Sequence, residues 1–281
     1  MTHEVLNYSH DPMRVFHGFL KEPDEAETAQ MYGIELEIAV KNSNNYGQDV
    51  NIWSRIKIQE TVPDFMIFKS DGSIPPGGYE MVTVPATYRY HVRMWDRFFA
   101  GDCAAELRSW PTEKCGIHIH VGRKTLTPMM QSKLNVFFNA PKNQAFIFHL
   151  AGRTAAQMQQ WCHPKHAVSS ADWLRDPQFY GDSAKYRALN TAKGPTLEIR
   201  IFRGNVKREG FMKNLDFAEC MVNFAREGGL NHMNAEALCH YVAKNAGRWP
   251  SLRGWMMCHG YLPNDTGNTL DQLKQIYDGG L

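Results

Sequence analysis

Three segments set far apart in the chain, residues 32–40, 116–121 and 196–202, repeat with a period of two, and this constrains the fold more than any other feature. In the first, Ile34, Leu36, Ile38 and Val40 alternate with Gly33, Glu35, Glu37 and Ala39. Ile117, Ile119 and Val121 alternate with His118 and His120 in the second, and Glu198 and Arg200 alternate with aliphatic residues in the third. Successive strand side chains point to opposite faces, so each segment predicts a strand with one aliphatic face for a core and one face carrying E-x-E, H-x-H or E-x-R. A solvated face would draw Thr, Lys, Ser and Gln as well, and the middle of these segments has none. Pairing the strands gathers carboxylates, imidazoles and a guanidinium on one surface, where the carboxylates repel unless a cation lies among them. Several oxygen donors with one imidazole suit magnesium or manganese, which keep water and substrate phosphates as remaining ligands. Glu80, on a strand after a glycine-rich turn, is a further candidate ligand.

The remaining pattern predicts an α+β order, with strands concentrated in the first two-thirds and helices at the end. Residues 1–30 have no clean period and read as an extended lead-in, and residues 42–45 read as a loop. Strands are expected near 65–68 and over 79–84, around the turn residues Asp71-Gly72-Ser73 and Pro75-Pro76-Gly77-Gly78. Helical spacing covers 88–107, a helix starts at Pro128 behind an N-cap at Thr127, and 145–150 is a second apolar stretch. Helices over 212–227, 235–245 and 269–277 finish the chain. Between them, residues 152–190 read as a long irregular segment that can cover a site, with Trp161, Trp173 and Tyr180 as candidates to line a cleft.

At 281 residues, with no Pro/Gly/Ser-rich linker, the chain is read as one domain, residues 1–281. Its 43% hydrophobic and 21% charged residues are ordinary for a globular protein. A net charge of +2 without a basic block argues against nucleic acid as a partner. The absence of a basic region followed by an apolar run, and of any long apolar stretch, argues for a cytoplasmic location and against a membrane. Six cysteines without a C-x-x-C pair read as buried, reduced thiols.

Four motifs carry a family resemblance. They are Tyr32-Gly33-Ile34-Glu35-Leu36-Glu37; Asp71-Gly72-Ser73 followed by Tyr79-Glu80-Met81-Val82-Thr83; Cys115-Gly116-Ile117-His118-Ile119-His120-Val121; and Tyr186-Arg187-Ala188-Leu189-Asn190 leading to Thr196-Leu197-Glu198-Ile199-Arg200-Ile201-Phe202. In order and spacing, from Met31 to Arg203, they resemble the amidoligases of the glutamine synthetase and glutamate–cysteine ligase superfamily. The resemblance implies a curved antiparallel sheet with helices on one face, and an ATP- and magnesium-dependent (or manganese-dependent) joining of a carboxylate to an amine through an acyl phosphate. On matching positions it implies Glu35, Glu37, Glu80, His118 and Glu198 as metal ligands, His120 as a contact to the nucleotide phosphates, and Arg200 as the residue that neutralises the transferred phosphate. Arg153 matches an arginine the family places after the helical section. Asp71 is a candidate to bind or deprotonate the amine, although Asp-Gly-Ser is also a common turn. Arg187 and Asn190 either touch nucleotide or substrate or serve as surface and cap residues.

The carboxylate and amine partners, small molecules or peptides, and the oligomeric state stay open at this level. A zinc or iron cupin is disfavoured because His120 is followed by Val121-Gly122-Arg123-Lys124, with no acid at the required place. A phosphotransferase using the same face, and a catalytically silent binding protein that keeps the sheet, are the alternatives. The silent protein is disfavoured by the presence of all four acids Glu35, Glu37, Glu80 and Glu198.

Overall fold

The computed structural model describes residues 3–16, 18–41, 43–109, 114–164, 186–192 and 194–277, with only the backbone described for residues 43–50 and Cys103. The chain divides into two compact units, Met1–His120 with Arg203–Arg208, and Val121–Phe202 with Glu209–Leu281.

The first unit holds strands β1 (Val5–Leu6), β2 (Met31–Val40), β3 (Met66–Lys69), β4 (Gly78–Thr83), β5 (Ala86–Thr87), β6 (Leu107–Arg108) and β7 (Gly116–Gly122), with helices α1 (Ser43–Thr61) and α2 (Tyr88–Ala100). Its sheet runs β1-β3-β4-β2-β7, and β5 and β6 also pair with β2. The pairs β3–β4 and β4–β2 are antiparallel, as expected, but β1 lies parallel to β3, so the sheet is mixed rather than antiparallel throughout. The parallel strand comes from the lead-in, which is more than extended chain. Leu6, Val15 and Leu20 pack on a core cluster of Phe16, Ile67, Val82 and Val84, while Asp11 caps a short 3-10 turn at Pro12–Arg14. That packing covers what would be the exposed edge of β3.

The β3–β4 connection is set by its turn residues. The Gly78 N–H donates to the Pro75 carbonyl at 3.0 Å, and Gly77 adopts φ 81°, which is the type II arrangement with Pro76 in its first central position. Helix α2 begins where Thr87 accepts the Tyr90 N–H and buries His91, Met94, Trp95 and Phe98. It stops at Ala100, short of the predicted residue 107, because Gly101 is extended. Helix α1 begins within the segment read as a loop. Its buried positions include Ser54 and Arg55 beside Ile58, while Ile52 and Trp53 are exposed, so hydrophobic spacing does not reveal it. Tertiary partners hold those polar groups: the hydroxyls of Ser54 and Tyr79 meet at 2.9 Å, and Arg55 Nε donates to the His3 carbonyl at 2.7 Å.

The second unit holds α3 (Pro128–Asn139), α4 (Gln144–Ala151), α5 (Ala155–Trp161), β8 (Leu189–Asn190), β9 (Thr196–Arg203), α6 (Arg208–Glu227), α7 (Ala235–Lys244), α8 (Pro250–Cys258) and α9 (Leu270–Tyr277). Thr127 caps α3 as predicted. Helix α6 starts at Arg208 rather than 212 and is the core element of this unit. Phe217 packs with Phe137, Phe138, Phe146 and Phe202, and the buried Lys213 donates to the Leu150 carbonyl at 2.7 Å. Helix α8 is absent from the sequence pattern because its cap is tertiary: the Asp216 carboxylate, from α6, accepts the Ser251 and Leu252 N–H groups at 2.8 and 3.1 Å. Helix α5, closed by a Thr154–Gln157 capping box, occupies part of the segment read as irregular. Residues 165–185 of that segment, with Trp173 and Tyr180, lie outside the described residues. Cys115, Cys162, Cys220, Cys239 and Cys258 are free and buried, as expected. Among the described residues no helix is long and apolar enough to cross a membrane.

Candidate metal centre

Strand register assembles the acidic face of the first unit. Glu37 of β2 lies directly opposite Glu80 of β4, and Glu80 lies directly opposite Lys69 of β3. Directly opposed residues of an antiparallel pair share a face, so Lys69, Glu80 and Glu37 form one row across three strands, with Glu35 two residues along β2 on the same side. His118 of the neighbouring β7 completes the set. One ligand atom from each of Glu37, Glu80 and His118 lies within 4.8 Å of the others, and all three residues are buried.

Each carboxylate in this face has a different environment. The Glu37 carboxylate accepts the Gly116 backbone N–H, and its backbone carbonyl accepts the Ser109 hydroxyl at 2.6 Å. Burial alone would raise the Glu35 carboxyl, but the charge of His120 and the hydrogen bond from His118 outweigh it and hold Glu35 well below the ordinary carboxylate range. His118 Nδ1 donates to Glu35 Oε2 at 3.1 Å, and His120 Nε2 lies 3.1 Å from Glu35 Oε1. With its Nδ1–H held by a carboxylate, a neutral His118 carries its lone pair on Nε2, the pattern by which an outer carboxylate orients a metal-binding histidine.

Glu80 is the exception. It is 4% exposed, and among the described residues no side chain or backbone group donates a hydrogen bond to its carboxylate. Burial, then the charges of Glu35 and Glu37, push its carboxyl well above the ordinary range, against a smaller opposing effect of Lys69. A buried carboxylate with two acidic neighbours and no donor either holds a proton or meets a cation. Two carboxylates and an imidazole within coordination reach fit a divalent ion such as magnesium or manganese, so the donor chemistry of Glu37, Glu80 and His118 accommodates the expected metal.

Asp71 belongs to the same unit and adds to the negative charge felt by Glu80. Its Oδ1 is engaged by the turn, accepting the Ser73 N–H at 2.7 Å and the Ser73 hydroxyl at 2.6 Å. The other predicted residues lie in the second unit. Glu198 is fully buried, pairs with Arg200 two residues along β9, and accepts Asn190 Nδ2 at 2.8 Å across the β8–β9 ladder. Asn190 therefore positions a carboxylate. Arg153 is buried and donates to the Ile201 and Phe202 carbonyls at 3.1 and 2.7 Å, which anchors α4 to β9. The guanidinium of Arg187 lies 3.2 Å from His163 Nδ1.

The residues overlooked in sequence are Ser109 and Lys69. Lys69 falls one residue past the expected strand, in what reads as turn, and only the β3–β4 register reveals it as a member of the acidic row. No protein-family model matches the chain, and no curated protein sequence matches it.

Proposed function

We propose that this protein is an ATP-dependent carboxylate–amine ligase of the amidoligase type, with a glutamine-synthetase-like sheet whose acidic face binds a divalent cation. The observation that carries the proposal is the Glu37–Glu80–His118 set, in which the buried Glu80 lacks any protein donor among the described residues. Glu198 and Arg200 join this function through the motif resemblance.

A bound divalent cation would offset charge on the phosphate oxygens of ATP during phosphoryl transfer. The substrate carboxylate oxygen attacks the γ-phosphorus, the bond to the bridging oxygen of ADP breaks, and an acyl phosphate forms. The amine then attacks the acyl carbon, phosphate leaves, and the amine nitrogen loses a proton. For this chain the residue roles are binding and positioning. Glu37 and Glu80 supply anionic oxygens, Glu35 orients His118, and Arg200 offsets charge on the transferred phosphoryl group. The order of the first two-thirds of the sequence, with E-x-E, the Glu80 strand, H-x-H and E-x-R in succession, supports a ligase over a face built for a metal alone.

The test is release of ADP and phosphate with magnesium and ATP across pools of amino acids, polyamines and small carboxylic acids. A ligase gives turnover only when a particular carboxylate and amine are both present, and Glu80→Gln abolishes it. Turnover with a single acceptor would favour the phosphotransferase alternative, and neither binding nor turnover of nucleotide would favour a silent binding protein.

A further inference from the structure

Lys69 closes β3, and the register sets it directly opposite Glu80 on the face that carries the acids. It is 8% exposed, and its charge acts on Glu80. Among the described residues it nevertheless forms no ion pair and donates no side-chain hydrogen bond; the contact found is with the ring of Tyr8, whose centroid lies 5.6 Å from Nζ. Tyr8 is itself 63% exposed, so it covers the ammonium without enclosing it. The stem is enclosed while Nζ keeps an opening to solvent, and an ammonium with so little access to water favours a counter-charge or a set of acceptors.

The acids nearby do not fill that role once a cation binds. Both Glu35 oxygens face histidines, and Glu37 and Glu80 would be the ligands of the divalent ion. Asp71 contributes negative charge but its Oδ1 is held by Ser73 and it forms no ion pair with Lys69, so a metal-loaded face leaves Lys69 as a largely enclosed positive charge, open to solvent at Nζ, beside a second positive centre. That combination attracts an oxyanion, in the way a lysine beside a metal recognises phosphate as a point charge. We propose that Lys69 is a substrate-binding residue which takes an oxyanion, phosphate or carboxylate, of the ligand held next to the cation at Glu80. This rests on the cation site proposed above.

The test is calorimetric titration of Mn2+ into wild type, Lys69→Met and Lys69→Arg, followed by inorganic phosphate or succinate into each Mn2+-saturated protein. Lys69→Met is expected to weaken one of the two anions about tenfold, and Lys69→Arg to retain most of the affinity. Mn2+ alone should bind Lys69→Met at least as tightly as wild type, because a repelling charge has been removed. The anion that responds identifies the source, a phosphate chain or a substrate carboxylate. Unchanged affinity for both anions in Lys69→Met, no anion binding to Mn2+-loaded wild type, or weaker Mn2+ binding in Lys69→Met overturns the role of Lys69 alone. A wild-type protein that takes up no Mn2+ overturns the cation site and the role of Lys69 together.

Discussion

Replacing Glu80 with Gln is expected to raise the stability of the cation-free protein while abolishing its response to divalent ions. The Glu37 and Glu80 ligand oxygens lie within 4.8 Å, a separation at which two unit charges repel by roughly 3.5 kcal/mol at an effective dielectric of about 20. Part of this is relieved when Glu80 holds a proton, so the gain visible near neutral pH is smaller, about 1 kcal/mol, or a Tm rise of about 2–4 °C. The pH dependence follows from the direction of the shift. Burial and the charges of Glu35 and Glu37 raise the folded-state value of Glu80 above that of the unfolded chain. The contribution of the protonated group is therefore complete below the ordinary carboxylate value of 4.5 and lost as pH rises through the raised one. The gap between Glu80→Gln and wild type should accordingly open as pH rises from 4.5 toward and through the raised value. The assay is thermal unfolding across that range in a chelator and in excess Mn2+; binding at about one hundred times Kd would add about 2.7 kcal/mol to wild type. A variant less stable than wild type in chelator, and equally stabilised by Mn2+, would refute both the repulsion and the ligand role.

Gly78→Ala is expected to cost about 1–3 kcal/mol, read as a lower Tm, because its Cβ would collide with the Ile38 carbonyl and the Ile74 side chain at the point where β4 pairs with β2. Burial holds His91 down to about 4 from 6.5, so its contribution is present above pH 6.5 and lost as pH falls through 4. The stability lost over that interval should reach about 3 kcal/mol, and His91→Phe should flatten that part of a pH–Tm profile. Asn190→Ala removes a buried donor from Glu198 and should lower stability by about 1–3 kcal/mol in chemical denaturation.

The strands that carry the acids were legible because alternation survives at the sequence level: Glu35, Glu37, His118, Glu198 and Arg200 sit on strands at the alternating positions the pattern implies. Elements whose ends or buried faces depend on distant partners were not legible. Helix α1 hides because its buried stripe includes Ser54 and Arg55, held by Tyr79 and His3, and α8 hides because Asp216 supplies its cap from another helix. The parallel β1 was missed for the same reason, since only its packing with Phe16 and Ile67 distinguishes it from extended chain. In the candidate site, residue types were readable but pair geometry was not. The opposition of Glu37 and Glu80, the engagement of both Glu35 oxygens by histidines, and the place of Lys69 in the row all depend on strand register, which no local pattern specifies.

The central claim, a divalent cation held by the sheet face, is tested most directly by anomalous diffraction at the manganese edge from crystals soaked in MnCl2. The account predicts a peak at about 2.0–2.4 Å from a carboxylate oxygen of Glu37, a carboxylate oxygen of Glu80 and a ring nitrogen of His118, lost in Glu80→Gln crystals. A peak bound elsewhere, or a soaked crystal with no manganese at these residues, would contradict it.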